Sequence, residues 1–267
     1  MDDMEKRLEY YKNHVLGPKD TFNFSCSACG KCCRKREEPI ILSAPDVFRL
    51  SQYLNKTCDE VIGNYCTWHI GGQSRLPVIL LKEKVNGSCV FLHHNECSVH
   101  DVFLTNCRIY PLGRMVNFKS SMDELLEDQV PEEPSRIKFE YFTQPIEAEC
   151  GTDKTWTLEE YLNQFNTHQY DEDGVAWFQV LEHMIKTYHG KLENEEVRHV
   201  FSKLAMLFMY IHFDIQRGYA EQAKENIAIL DKMMQTKSGQ AILKINEINK
   251  RCREQGRYAE LGDILND

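Results

Sequence analysis

Residues 26–33 read Cys26-Ser27-Ala28-Cys29-Gly30-Lys31-Cys32-Cys33 and place four thiols in eight positions. In a Cys-x-x-Cys pair, the two intervening residues can form a tight turn that lets both thiolates reach one metal ion. Gly30 allows the positive φ that such a turn often requires. The octapeptide therefore predicts a metal site. Its first three thiols have the spacing found in bacterial ferredoxin-type iron–sulfur clusters.

Cys33 directly follows Cys32, which is a geometric difficulty for a single metal ion. Adjacent side chains point to opposite sides of a strand, and on a helix they lie about 100° apart. We therefore predict that Cys33 reaches a second metal centre.

Composition and charge limit the class of protein. The 267 residues carry a net charge of −9, which argues against nucleic acid or an anionic membrane as the main partner. No apolar run follows the charged N-terminus, so no signal peptide is predicted. No stretch approaches the ~20 apolar residues of a membrane span. We expect a cytosolic protein, in which clustered cysteines bind metal or do redox work and do not form disulfides.

The other cysteines divide into two groups. Four single cysteines in the first part of the chain complete a set of eight with the octapeptide, enough for two four-thiolate sites: Cys89, Cys97, Cys107 and Cys150. A zinc ribbon would normally bring a second Cys-x-x-Cys pair, which is absent, whereas scattered single cysteines fit iron–sulfur ligation better. The remaining three, Cys58, Cys66 and Cys252, are expected to be small buried hydrophobic residues.

Basic and histidine side chains lie near these cysteines in sequence. The basic residues are Lys31, Arg34, Lys35, Arg36, Arg108 and Arg114. They would stabilise thiolates and raise a redox potential, although a solvated basic surface is an equal alternative. His93, His94 and His100 flank Cys97 and could replace a thiolate. Surface positions are the more common fate of histidines in a polar loop.

The chain predicts an α+β fold in two domains, residues 1–154 and 155–267. In the first domain we predict short elements: an amphipathic helix over 1–18, a strand over 39–42, helices that begin at Ser43 and Thr57, a hairpin of strands 76–85 and 88–92 around Asn86-Gly87, and a strand over 136–142. In the second domain a capping box at Thr157 opens the first of several helices, and longer ones follow at roughly 174–188, 194–216, 219–236 and 238–254.

The order of the cysteines resembles the YkgJ-type cysteine-cluster family over about residues 22–165. The resemblance rests on Cys-x-x-Cys-Gly-x-Cys-Cys, Cys89-Val90-Phe91-Leu92, Cys97, Cys107-Arg108-Ile109-Tyr110-Pro111, and Cys150-Gly151 before Trp156. That family is described as a zinc- or iron-chelating domain, is often labelled an iron–sulfur oxidoreductase, and includes a flagellin lysine N-methylase as a relative. The sequence departs from the family pattern at His100 and Phe103-Leu104.

The resemblance implies a metal set of eight residues: Cys26, Cys29, Cys32, Cys33, Cys89, Cys97, Cys107 and Cys150. It favours an iron–sulfur protein, with 4Fe-4S clusters, that does redox or protein-modifying chemistry similar to flagellin lysine N-methylation. The helical half would then bind a protein partner or substrate. The alternative is a zinc-binding structural module without turnover.

The common enzyme motifs are absent from the sequence, so no catalytic residue is predicted. The chain has no Gly-x-Gly-x-x-Gly after a strand, no phosphate-binding loop and no Gly-x-Ser-x-Gly elbow. Its Cys-x-x-Cys-x-x-Cys spacing also differs from the Cys-x-x-x-Cys-x-x-Cys of radical S-adenosylmethionine enzymes.

Overall fold

The computed structural model describes most of the chain. The described residues are 9–11, 13–26, 30–34, 39–102, 104–117, 138–144, 151–164 and 167–255. Two predicted ligands, Cys29 and Cys150, lie outside these residues, as do Lys35, Arg36 and half of the helix predicted over residues 1–18.

The first half of the described chain contains short antiparallel strands with helices between them. The strands are β1 (Val15–Leu16), β2 (Thr21–Ser25), β3 (Ile41–Leu42), β4 (Cys66–Ile70), β5 (Pro77–Leu81), β6 (Leu92–His93), β7 (Glu96–Cys97), β8 (Leu112–Asn117), β9 (Lys138–Thr143) and β10 (Gly151–Thr157). They pair in the orders β1-β9-β8, β10-β2, β3-β5-β4 and β6-β7. The sheets are too small to form a core alone, so their stability depends on helices packed against them.

Three of the described α-helices lie between the strands, and from residue 158 onward the described chain is mainly helical. The helices are α1 (Ala44–Leu54), α2 (Cys58–Tyr65), α3 (Thr105–Arg108), α4 (Leu158–Asn163), α5 (Thr167–Tyr188), α6 (Glu195–Met206), α7 (Tyr219–Gln235), α8 (Lys237–Leu243) and α9 (Ile245–Glu254). A π-helix, Leu207–Ile211, continues α6. The α+β fold class and the helical second half are therefore confirmed.

The predicted helix starts are confirmed because local side chains satisfy the first backbone N–H groups. Capping boxes open α1, α2 and α4 through three hydroxyl–carboxylate pairs: Ser43 with Asp46, Thr57 with Glu60, and Thr157 with Glu160. Each pair satisfies two N–H groups that would otherwise have no intrahelical partner. Short-range hydrogen bonding of this kind is visible in the sequence.

Three element predictions were wrong in extent. Val15–Leu16 is a strand paired with β9 and not the last turn of a helix. The helix predicted over 194–216 ends as a π-helix at Ile211, and the one over 238–254 divides into α8 and α9.

The predicted hairpin around Gly87 forms its turn but not its second strand. Gly87 has φ 75°, and Lys84 N–H donates to Ser88 O at 2.7 Å. The second arm still pairs with the first through a Glu83–Cys89 bridge and through Val90 N–H, which donates to Lys82 O at 3.2 Å. Cys89 N–H also donates to Cys33 O at 2.7 Å, which brings two cysteine-bearing segments together.

The largest hydrophobic cluster takes buried side chains from both halves of the chain. Phe48 of α1 lies 5.9 Å from Phe213 and 5.7 Å from Tyr219, measured between ring centroids. Tyr210 of the π-helix donates its hydroxyl to Pro77 O at 3.4 Å. The helical half thus covers the same core as the strands, while the division into two domains near residue 154 stays a prediction.

None of the described helices is both long enough and apolar enough to cross a membrane.

Candidate metal centre

Cys32 and Cys33 lie in a 3₁₀ turn, Lys31–Cys33, that directly follows Gly30. Gly30 has φ 69°, and its carbonyl accepts a hydrogen bond from Cys33 N–H at 3.1 Å. This positive φ confirms the expectation that glycine is needed after the Cys-x-x-Cys pair, since a side chain there would be strained.

The two adjacent sulfurs do not point apart. Cys32 Sγ and Cys33 Sγ are 3.8 Å from one another. Two sulfurs that each lie 2.3 Å from a tetrahedral ion would be separated by about 3.8 Å. The expectation that these side chains diverge was wrong, because in the 3₁₀ turn Lys31–Cys33 the two sulfurs lie close together.

Cys89 and Cys97 approach the octapeptide from the next part of the chain. Cys89 is tied to Cys33 through its backbone N–H, and Cys97 pairs with Leu92 in the β6-β7 hairpin. Burial raises the pKa of the Cys97 thiol, and the nearby Cys89 and Cys32 raise it further, while the Val99 N–H lowers it. Negative charge on Cys89 or Cys32 therefore disfavours the Cys97 thiolate, and a bound cation would relieve that repulsion.

Cys107 lies on α3 and packs against the same core cluster as Cys33 and Cys97. The helix is a single turn, and no side chain of its N-cap residue, Leu104, caps it. Instead, Asp46 accepts the Thr105 N–H at 2.8 Å. The position of this cysteine thus depends on a contact with α1.

Cys26 directly follows β2, is exposed, and lies near Tyr161 of a second, smaller hydrophobic cluster. Burial raises the pKa of Tyr161, and nearby Cys26 and Tyr110 raise it further. Ser25, which precedes Cys26, pairs with Gly151 of β10, and a Cβ on Gly151 would come 3.1 Å from Ser25 O. Glycine at 151 therefore permits a close approach of these two strand ends.

The described histidines near Cys97 face solvent. The imidazole of His100 is 70% exposed and lies 3.9 Å from Asp101. His93 and His94 are exposed as well, and His94 takes part in the β6-β7 turn with φ 47°. Their exposure agrees with the expectation of surface histidines and does not favour them as ligands.

Two basic side chains bind the loop that carries Cys97. Arg34 donates to the Asn95 side chain, and Lys84 donates to Leu92 O. Arg108 lies one residue after Cys107 and contacts Asp101 O at 3.5 Å, whereas Arg114 stacks 4.3 Å from the Phe139 ring. Of the basic residues predicted to lie near the thiols, Arg34 is thus held close to the β6-β7 hairpin.

The thiol donor set suits zinc or iron, since thiolates are soft ligands that both ions accept. Within the part of the chain that the structure describes, no three His, Cys, Asp or Glu side chains are arranged to hold an ion by themselves. Two of the eight predicted ligands, Cys29 and Cys150, are outside that part, so the described thiols are an incomplete set.

A comparison with family models identifies the segment that contains most of these thiols. Residues 25–129 match the family model CxxCxxCC. It is described as a "Putative zinc- or iron-chelating domain". The match confirms the resemblance seen in the sequence and indicates metal chelation for this segment. It includes every predicted ligand except Cys150 and covers less than half of the 267 residues. Searches of curated proteins and of solved structures gave no significant match.

The remaining described cysteines are buried, as predicted. Cys58 and Cys252 are 0% exposed and Cys66 is 5% exposed. Burial raises the pKa of Cys66 to about 12, although the charge of Lys82 opposes this, and burial also raises the pKa of Cys58. All three thiols are buried and behave as small apolar side chains.

Thiol alkylation should separate these two groups. In metal-free protein at pH 8, we expect iodoacetamide to modify exposed Cys26 first and Cys66 last, because the reactive thiolate is scarce when the pKa is about 12. The rate at Cys66 should rise about tenfold per pH unit below that pKa, since the thiolate fraction does. Peptide mass spectrometry over time measures each rate, and equal rates at Cys26 and Cys66 would contradict the assignment.

Sequence reasoning treated Asp46 only as a helix cap and overlooked its contact with Thr105, 59 positions away. One local signal was available, because Arg49 follows the capping carboxylate by three residues and forms an ion pair with it at 2.7 Å. A charged pair of this kind on an otherwise apolar helix face indicates a buried polar contact.

Proposed function

We propose that this chain is an iron–sulfur protein whose cluster ligands come from the octapeptide and from Cys89, Cys97, Cys107 and Cys150. The supporting observation is that three segments meet: Cys89 N–H donates to Cys33 O at 2.7 Å, and Cys97 lies near enough to Cys89 and Cys32 for their charges to raise its pKa. Cysteines remote in sequence converge in this way when a cluster takes ligands from far along the chain.

The basic environment supports a redox role. Arg34 and Lys84 bind the polar groups of the loop between Cys89 and Cys97. Positive charge near a cluster held by four thiolates stabilises its more reduced, more negative state, so it raises the reduction potential.

The proposed activity is redox or protein-modifying chemistry, with flagellin lysine N-methylation as the analogy that the family resemblance supplies. We also propose that the helical part of the chain binds a protein partner or a protein substrate. Ile229 and Met233, one turn apart on α7, are 41% and 40% exposed and are apolar positions that such a partner would cover.

Anaerobic purification tests the cluster. We expect a brown protein with a broad visible charge-transfer absorption and several irons and sulfides per chain, because thiolate-to-iron charge transfer absorbs in this range. Metal analysis and an absorption spectrum, recorded before exposure to air, are the measurements. Colourless protein with stoichiometric zinc would refute the iron–sulfur proposal and leave the zinc alternative.

The zinc alternative has one observation in its favour, the 3.8 Å separation of Cys32 Sγ and Cys33 Sγ, which suits a tetrahedral ion. A closed four-thiolate zinc site would stabilise the fold by roughly 10 kcal/mol at neutral pH and leave no open coordination position. In that case a chelator should unfold the first half of the chain, and the protein should show no redox activity.

A further inference from the structure

Asp46 is a buried carboxylate that serves two helices at once. It is 3% exposed. Its Oδ2 accepts hydrogen bonds from the Ser43 backbone at 3.0 Å and the Ser43 hydroxyl at 2.7 Å, which cap its own helix α1. Its Oδ1 accepts from the Thr105 backbone and from the Thr105 hydroxyl, each at 2.8 Å. The same side chain therefore caps α1 and holds the first residue of α3.

The second role matters because α3 has no side-chain cap of its own. The N–H groups of Cys107 and Arg108 both donate to Leu104 O at 2.9 Å, so they belong to the single turn that Thr105 begins. In so short a helix, the N-terminal N–H groups need an acceptor from outside the turn. Fixing Thr105 therefore fixes where the turn presents Cys107.

Arg49 links the contact between Asp46 and Thr105 to α5 in the helical half of the chain. Its Nη2 donates to Asp46 Oδ1 at 2.7 Å and to the Thr105 hydroxyl at 3.0 Å, and its Nη1 lies 3.9 Å from Asp173 of α5. Burial raises the pKa of Asp46, but Arg49 together with hydrogen bonds from Ser43 and Thr105 more than offsets this, so the pKa of Asp46 lies below its usual value. The carboxylate is thus charged at neutral pH.

We infer that Asp46 and Thr105 are positioning residues for Cys107 as a metal ligand. This inference rests on the proposed metal centre and concerns how one of its ligands is held. Outer partners that orient a metal ligand commonly affect affinity by ~10- to 100-fold when they are removed.

The test is the Thr105→Val variant, which keeps the side-chain shape and removes the hydroxyl. From anaerobically purified protein, we expect metal to pass to a competing chelator at a concentration ~10- to 100-fold lower than wild type requires. Thr105→Ser restores the hydroxyl and should restore retention. The matched control is Thr57→Val, which removes the capping hydroxyl of α2 and should leave retention within about twofold of wild type.

A double variant separates positioning from general destabilisation. If Thr105 acts through Cys107, then Thr105→Val should have no further effect on metal retention in a Cys107→Ser background. An additional loss in that background, or equal losses in Thr105→Val and Thr57→Val, would overturn the inference while the metal centre stands. A Cys107→Ser variant with unchanged retention would also overturn it. Wild-type protein without bound metal would overturn the proposed function and the inference together.

Discussion

The Cys33→Ser variant is expected to lose the same metal centre as the Cys32→Ser variant. The two sulfurs are 3.8 Å apart, close enough to contact one ion or one cluster. A serine hydroxyl is a poor replacement for a thiolate, so each variant should lose affinity on the order of 100-fold or more, beyond the effect of an outer partner. Metal content and the absorption spectrum of anaerobic protein are the measurements.

Two further variants complete this experiment. The double variant Cys32→Ser with Cys33→Ser should lose no more metal than either single variant, because both would affect one centre. Cys252→Ser replaces a fully buried thiol in a separate small cluster and should keep the full metal content. If the two single variants lose different parts of the metal and the double variant loses both parts, Cys33 serves a second centre, as the sequence argument predicted.

The Gly239→Ala variant is expected to show a large loss of folding stability. Gly239 is buried in the first turn of α8, where an added Cβ would lie 2.5 Å from Met234 Cα and 2.8 Å from its carbonyl carbon. These are backbone atoms, so no side-chain rotation can relieve the overlap. We expect a loss of about 3 kcal/mol in the free energy of unfolding, at the upper end for overpacking. Thermal melting followed by circular dichroism should show a midpoint roughly 6 to 12 °C lower.

Gly63→Ala is the matched control for this substitution. Gly63 lies in α2, and an added Cβ there would meet nothing within 4 Å. Alanine is the better helix former by up to about 1 kcal/mol, so this variant should melt at the same or a higher temperature than wild type. A Gly239→Ala midpoint at or above that of wild type would contradict the packing around Met234.

Local hydrogen-bonding patterns were read correctly from the sequence. Ser43, Thr57 and Thr157 each open a helix with the carboxylate three residues later, because a capping box requires only four neighbouring residues. Gly30 has the positive φ that its place after a Cys-x-x-Cys pair indicated. Such features depend on groups within a few bonds of one another, and the sequence shows them directly.

Elements that depend on partners distant in the chain could not be predicted from the sequence. Val15–Leu16 forms a strand because β9 supplies its hydrogen bonds from more than 100 positions away. The second arm of the Gly87 hairpin forms only an isolated bridge with the first arm, at Glu83 and Cys89, and its Cys89 N–H donates to Cys33 O. In both cases long-range pairing prevailed over local propensity, which is a weak preference compared with tertiary contacts.

For the candidate site, the sequence by itself determined the chemistry of the donors. Eight ordered thiols and the Cys-x-x-Cys-Gly turn indicate metal chelation, and the match of residues 25–129 to a family model described as a zinc- or iron-chelating domain agrees with this. Ligand type follows from residue type, since sulfur binds zinc and iron wherever the fold places it.

The tertiary structure alone decided which groups meet. It joined Cys89 to Cys33 by a backbone hydrogen bond, placed the Cys32 and Cys33 sulfurs 3.8 Å apart, and brought Asp46 of α1 into contact with Thr105 of α3. The physical reason is that contacts between remote residues follow from how the helices and strands share one core. Loop closure and packing select those contacts, and neither has a local signature in the chain.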